Sequence, residues 1–255
     1  MKNYDGYLID LDGTVYRGKE GISEAIDFIN DLKDKNRKCL FLTNNSSKRT
    51  EEIASKLQKL GVFVSSEEVF TSGIATAAFI ADSFPNARVM VIGEDGLYRA
   101  IEEQGFLITS KEPDVVVMGI DRHITYDKLA KASLAIQNGA QFISTNSDLV
   151  VPTDRGLLPA NGSLTAVLTK STGVKPIFIG KPEQTMIEQA LKRLGTDKEK
   201  TLIIGDNYET DILTGIRAGI DSLLVLTGVT GKTELKDLPI LPTYTLDSLE
   251  QWKVS

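Results

Sequence analysis

Near the start of the chain, two aspartates separated by one residue run straight into glycine and threonine: Asp10-Leu11-Asp12-Gly13-Thr14. Residues i and i+2 leave a strand on the same side, so both carboxylates can face one pocket. Gly13 permits a sharp backbone turn behind them. A carboxylate in that position can attack a phosphoryl group to form an aspartyl-phosphate, while its neighbour manages protons. The same residues also suit a plain polar turn, because Asp-Gly is a common turn former. Three further polar clusters accompany them: Thr43-Asn44-Asn45, Gly180-Lys181, and Gly205-Asp206 with Asp211 a turn later. Three or four carboxylates gathered with one lysine need a cation, since like charges at short range do not all stay ionised. Oxygen-only ligands suit Mg²⁺, which keeps several waters and works beside a phosphate.

Each cluster directly follows a short apolar run. Tyr7-Leu8-Ile9 precedes Asp10, Cys39-Leu40-Phe41-Leu42 precedes Thr43, and Ile177-Phe178-Ile179 precedes Gly180. Leu202-Ile203-Ile204 precedes Gly205, and Leu223-Leu224-Val225-Leu226 precedes Thr227-Gly228. Runs of this kind, bounded by turn residues, predict strands buried on both faces of one parallel sheet. Such sheets bind ligands beyond the carboxyl ends of their strands, where these clusters stand. Apolar spacing predicts helices over 23–32 and 183–194, the second stopped by Gly195. The alternation predicts an α/β fold. The second run ends near residue 43 and the third begins at residue 177. Between them lie further runs at 88–92, 114–118 and 141–144 and a helical stretch over 126–138. This pattern predicts a Rossmann-like parallel-sheet core formed by 1–78 and 178–255, with a smaller α/β domain inserted at 79–177.

Scarce residues exclude whole mechanisms. The 255 residues contain one cysteine, Cys39, and one histidine, His123, so internal disulfides, thiol-rich zinc sites and paired-His metal sites are ruled out. Cys39 lacks a Cys-x5-Arg phosphate loop because position 45 is Asn, and it reads as a small core residue. His123 follows Asp121-Arg122 at a strand end and reads as a solvated loop residue. Gly180-Lys181 is not a nucleotide P-loop, since Pro182 replaces the required hydroxyl residue and position 175 is Lys. A net charge of −6 speaks against nucleic-acid and anionic-membrane partners. No signal-peptide-like or membrane-spanning apolar stretch is present, so a soluble, cytoplasmic protein is expected. Trp252 is expected to pack the last segment against the core.

Simpler readings stand beside the chemical ones. Thr43 and Asn44 are also helix-capping types, Lys181 could be solvated, and Asp211 could be an exposed acid early in a helix. Thr145-Asn146-Ser147-Asp148 through Asn161-Gly162-Ser163 reads as a long turn-rich loop, either facing substrate or plain surface.

Taken in order, Asp10-Leu11-Asp12-Gly13-Thr14, Leu42-Thr43-Asn44-Asn45, Gly180-Lys181-Pro182 and Gly205-Asp206-Asn207 with Asp211 resemble the four motifs of the haloacid-dehalogenase-like (HAD) superfamily. Tyr16, Gly18, Thr43-Asn44-Asn45-Ser46 and Thr145-Asn146 with Asp148 resemble its NagD-like branch, which carries a type-2 cap. The resemblance implies a HAD-type core with an inserted cap that closes over substrate. It implies a Mg²⁺-dependent phosphatase acting on small phosphomonoesters: sugar or acid-sugar phosphates, and aryl phosphates in vitro. By the same resemblance Asp10 is the nucleophile and a metal ligand, and Asp12 is the acid/base with its carbonyl on the metal. Thr43 and Lys181 are catalytic and, with Asn44, Asn45, Asn146 and Asp148, bind substrate. Asp206 ligates Mg²⁺, with Asn207 and Asp211 supporting from behind. The implied partner is a small phosphorylated metabolite, with no nucleic acid and no membrane, and pairing of two caps would give a homodimer. Two departures stand out. Pro159-Ala160 replaces the Pro-Gly of related caps, and Val151 stands where vitamin-B6 phosphatases place histidine, which argues against that substrate. Two rivals are a phosphotransferase or mutase of the same superfamily and a non-catalytic regulatory protein that binds phosphometabolites.

Overall fold

The computed structural model describes residues 2–253. Two compact units emerge, one from Met1–Thr43, Thr50–Phe70 and Lys181–Ser255, the other from Asn44–Arg49 and Thr71–Gly180.

A six-stranded sheet organises the first unit, in the order Tyr244–Leu246, Asp221–Val225, Thr201–Gly205, Gly6–Asp10, Lys38–Thr43, Val69–Thr71. Gly6–Asp10 lies in the middle, pairing in parallel with Thr201–Gly205 on one side and Lys38–Thr43 on the other. Chain order runs outward from it in both directions, which makes its carboxyl end the topological switch point, the place where sheets of this kind bind ligands. Every residue of Gly6–Asp10 and of Thr201–Gly205 is buried, and double-sided burial explains their nearly unbroken apolar runs. Helix Ser23–Asp34 buries Ala25, Phe28, Ile29 and Leu32 along one stripe. Helix Gln184–Leu194 buries Met186, Ile187, Ala190 and Leu194, and Gly195 ends it at φ 65°, a left-handed conformation that costs glycine little.

Trp252 fastens the end of the described chain. Its ring lies 6.2 Å from that of Tyr4 and 5.1 Å from that of Tyr244, within the same buried cluster. Trp252→Ala is expected to cost about 3 kcal/mol of stability in urea unfolding. Turnover per folded molecule should stay unchanged, because none of these rings touches the carboxylates described below. A selective loss of activity would contradict a purely structural role.

The second unit carries an all-parallel five-stranded sheet in the order Ile177–Phe178, Gln141–Ser144, Val115–Met118, Arg88–Ile92, Leu107–Ile108. Two expectations are corrected here. Ile177–Phe178 is an edge strand of this sheet and not a strand of the first one. Ile177 is 39% exposed while Ile179 is fully buried, so the three-residue run marks a one-sided edge. A run that short carries no information about which sheet it joins. Nor is 145–163 a loop throughout. Val150–Thr153 and Gly156–Pro159 form an antiparallel hairpin, and Asn161–Thr172 is a helix. The hairpin exposes Val150 and Leu157, and Leu149 just before it is exposed too, which leaves no clean apolar alternation to read. Among the described residues, no helix is long and apolar enough to cross a membrane.

Candidate active site

Asp10 is the last residue of the central strand, and the chain curls tightly behind it. The carbonyl of Leu11 accepts from the amides of Thr14, Val15 and Tyr16 at 3.3, 2.8 and 3.2 Å. Gly13 makes that turn at φ +88°, and the place its Cβ would take is filled by the carboxylate of Asp206. Glycine is therefore needed twice, for its conformation and for close approach. Asp206 follows strand Thr201–Gly205 and is held from two sides. Thr14 Oγ1 donates to its Oδ1 at 3.2 Å, and the Val229 amide donates to its Oδ2 at 2.7 Å.

Lys181 joins the rest. Only 3% exposed, it donates to Asp10 Oδ1 and, at 2.7 Å, to Asp211 Oδ1. Asp211 lies in a single π-helical turn, Tyr208–Ile212, which Asn207 opens by accepting the Glu209 amide on its Oδ1. The Asn207 amide donates to Asp211 Oδ2 at 3.1 Å. Asp211 is thus buried, not an exposed helix-start acid.

Asp10, Asp206 and Asp211 each offer an oxygen within 4.8 Å of the others. Burial pushes the Asp10 carboxyl well above the ordinary carboxylate range; the charges of Asp211 and Asp206 add to this, and Lys181 opposes it. Asp206 is raised by burial and by Asp211, against the Val229 amide and Lys181. Burial alone would lower Lys181, but the charges and hydrogen bonds of Asp10 and Asp211 outweigh it and keep the ammonium above the usual lysine range. With all three carboxylates ionised, one ammonium would leave two negative charges among these buried groups without a counter-charge. A divalent cation would balance them, and an all-oxygen donor set suits a hard one. The residues fit such an ion.

Asp12 stands exposed on the turn, and its Oδ2 accepts from the Tyr16 hydroxyl at 3.2 Å. Thr43 ends strand Lys38–Thr43, one residue beyond Leu42, the register partner of Asp10. The other candidates form a network inside the second unit. Asn44 Nδ2 meets both carboxylate oxygens of Asp148 at 3.2 and 3.1 Å, and Asn146 Nδ2 donates to the Asn44 carbonyl at 2.8 Å. Asn45 Oδ1 closes a turn by accepting the amides of Ser47 and Lys48. Three contributors were given no site role from sequence: the Thr14 hydroxyl, the Tyr16 hydroxyl and the Val229 amide. Thr14 belonged to the first motif and Tyr16 was among the residues carrying the resemblance to the NagD-like branch, but a backbone donor leaves no trace in residue type.

Residues 7–107 match the model of the haloacid dehalogenase-like hydrolases, and residues 178–252 match a second, HAD-hydrolase-like model. The 5'-nucleotidase YutF of Bacillus subtilis is 55% identical over 252 residues, covering 99% of this chain and 98% of its own. An acid sugar phosphatase of Staphylococcus saprophyticus is 48% identical over 252 residues, with 98% and 97% covered. The crystal structure of a single-mutant thermostable NPPase from Geobacillus stearothermophilus superposes with a TM-score of 0.94 at 50% identity, covering all of both chains. A parallel sheet with four acidic and basic residues converging at its switch point, together with these matches, places the chain in the haloacid dehalogenase-like hydrolase family. Within that family it is a phosphatase, a phosphoric monoester hydrolase.

Proposed function

We propose that this phosphatase hydrolyses small phosphomonoesters through an aspartyl-phosphate on Asp10, with Mg²⁺ as its metal. The observation that carries the reading is the buried contact of Lys181 with Asp10 and Asp211, next to Asp206 at the end of the central strand. Phosphoryl transfer depends on positioning and on charge placed around the moving group, and this cluster supplies both.

In the first step the Asp10 carboxylate attacks phosphorus, while protonated Asp12 gives its proton to the departing ester oxygen. The ester P–O bond breaks as the Asp10–phosphorus bond forms, releasing the alcohol. In the second step Asp12, now a carboxylate, takes a proton from water, whose oxygen attacks phosphorus. The Asp10–phosphorus bond breaks, inorganic phosphate leaves, and Asp10 returns as the carboxylate and Asp12 as the acid. Lys181 offsets charge on the nucleophile and the transferring oxygens, and Thr43 holds a phosphoryl oxygen. Asp10, Asp206 and the Asp12 carbonyl would hold Mg²⁺, with Asp211 behind, and the ion would supply positive charge beside the phosphoryl group when bound. The relatives are named for a nucleotide, for acid sugars and as an NPPase, and we infer the same general class of substrate, a monoester on a small molecule.

Chelation tests the metal. Treatment with EDTA should cut turnover of p-nitrophenyl phosphate roughly a hundredfold, and added Mg²⁺ should restore it. At a hundred times its Kd, Mg²⁺ should also stabilise the fold by about 2.7 kcal/mol. Full turnover in the chelator would remove the metal from the mechanism. Acid quenching during turnover of labelled substrate should leave phosphate on Asp10, and a clean aspartate would remove the intermediate.

A further inference from the structure

We propose that Tyr16 is a positioning residue for Asp12: its hydroxyl occupies Oδ2 and so assigns the transferable proton to Oδ1. The proposal rests on the reading of Asp12 as general acid. An aspartate exposed on a turn has several staggered rotamers open to it, and most would aim its carboxyl away from the ester. Asp12 is such a residue, and the Tyr16 hydroxyl donates to its Oδ2 at 3.2 Å.

Tyr16 itself is anchored independently of that bond. It is 5% exposed and belongs to the core cluster of the first unit. Its amide donates to the Leu11 carbonyl at 3.2 Å, and its carbonyl accepts from the Gly13 amide at 2.8 Å. These bonds lock the two ends of the turn that carries Asp12. Lys56 Nζ stands 3.2 Å from the centre of the Tyr16 ring. A cation over the ring is attracted to its face, which helps to hold the ring in place. A fixed donor on one carboxyl oxygen sets the rotamer and leaves the other oxygen to carry the proton. During the first step that proton passes from Oδ1 to the ester oxygen as its bond to phosphorus breaks. During the second, the same oxygen receives a proton from water.

A positioned acid matters in proportion to how badly the leaving group needs a proton. A nitrophenolate departs with little help, whereas an alkoxide does not. kcat/KM covers every step up to release of the alcohol, so the comparison is made on that ratio for p-nitrophenyl phosphate and glycerol phosphate. Tyr16→Phe keeps the ring, its burial and the Lys56 contact, and removes only the hydroxyl. We expect kcat/KM for glycerol phosphate to fall about tenfold, the worth of one well-placed hydrogen bond. The loss should fall on kcat with KM little changed, and p-nitrophenyl phosphate should stay within about twofold of wild type. Equal losses on both substrates, or no loss on glycerol phosphate, would overturn the positioning role. Asp12→Asn separates this from the reading beneath it. It should discriminate in the same direction and more steeply. If it kept its activity on glycerol phosphate, the acid role of Asp12 would fall and the role of Tyr16 with it. If Asp12→Asn discriminated and Tyr16→Phe did not, only the Tyr16 assignment would fail.

Discussion

Asp10→Asn is expected to abolish phosphate release, by at least about a thousandfold in kcat, while leaving the fold as stable as wild type or more so. Asparagine matches aspartate in size and can still accept from Lys181, so the strand end and the turn behind it keep their geometry. The amide cannot attack phosphorus. Stability should move the other way, because Asp10 is one of three buried carboxylates sharing one ammonium. Its carboxyl is raised in the fold by burial and by Asp211 and Asp206. For a carboxyl so raised, the charged form opposes folding. The penalty is absent below the ordinary carboxylate range, grows as pH rises from there, and is complete above the raised pKa. Urea unfolding of the metal-free protein at several pH values should therefore show wild type losing ground to Asp10→Asn as pH rises. Retained turnover in the variant would sink the nucleophile assignment, and a parallel pH response would sink the electrostatic one.

The second large effect concerns Lys181. Lys181→Met should cost about 3–5 kcal/mol of stability in the metal-free protein, the usual consequence of deleting one partner from a buried ionic set. It should also lower kcat roughly a hundredfold or more through lost charge stabilisation. Methionine fills much of the same volume, so the loss reports charge and not a cavity. A double-mutant cycle makes the claim specific. Asp211→Asn should restore part of the stability lost in Lys181→Met, because it removes a buried carboxylate that has lost its ammonium. Additive losses would contradict direct coupling across the 2.7 Å contact. The sign of the lysine shift has its own consequence. A lysine raised in the fold contributes stability that is full below the unfolded pKa and lost only as pH rises through the folded one. Because Lys181 is held above the ordinary range, its contribution should persist through the alkaline region where exposed lysines lose charge.

The legibility of this chain followed burial. Gly6–Asp10 and Thr201–Gly205 are covered on both faces, so their sequences are apolar runs with abrupt polar ends, and those ends are where Asp10 and Asp206 stand. Helix Gln184–Leu194 was readable from its buried stripe and from Gly195. Ile177–Phe178 was assigned to the wrong sheet because a two-residue edge strand has no pattern of its own, and its partner, Gln141–Ser144, lies some distance away in sequence. The hairpin of 150–159 escaped notice because its apolar side chains face solvent and mix with turn residues. Asp211 was ambiguous for a different reason. An acid in a first helical turn is common on any surface, and only the contact with Lys181 distinguishes this one.

The sequence by itself determined the kind of chemistry available. One cysteine and one histidine, set against aspartates at strand ends and a lysine before Pro182, leave carboxylates, lysine, hydroxyls and amides as the groups available for chemistry. Residue types and their order along the strands carry that information because strand ends converge wherever a parallel sheet forms. Only the tertiary structure decided which oxygen meets which donor. Asp206 is oriented by the Thr14 hydroxyl and the Val229 amide, and room for it is kept by the side chains that Gly13 and Gly228 lack. Asp211 and Asp10 are drawn together through one ammonium, and Asp12 is met by the hydroxyl of a tyrosine four residues on. Backbone donors and absent Cβ atoms have no signature in residue type, and the sharing of a buried charge depends on distances that exist only once the chain has closed around it.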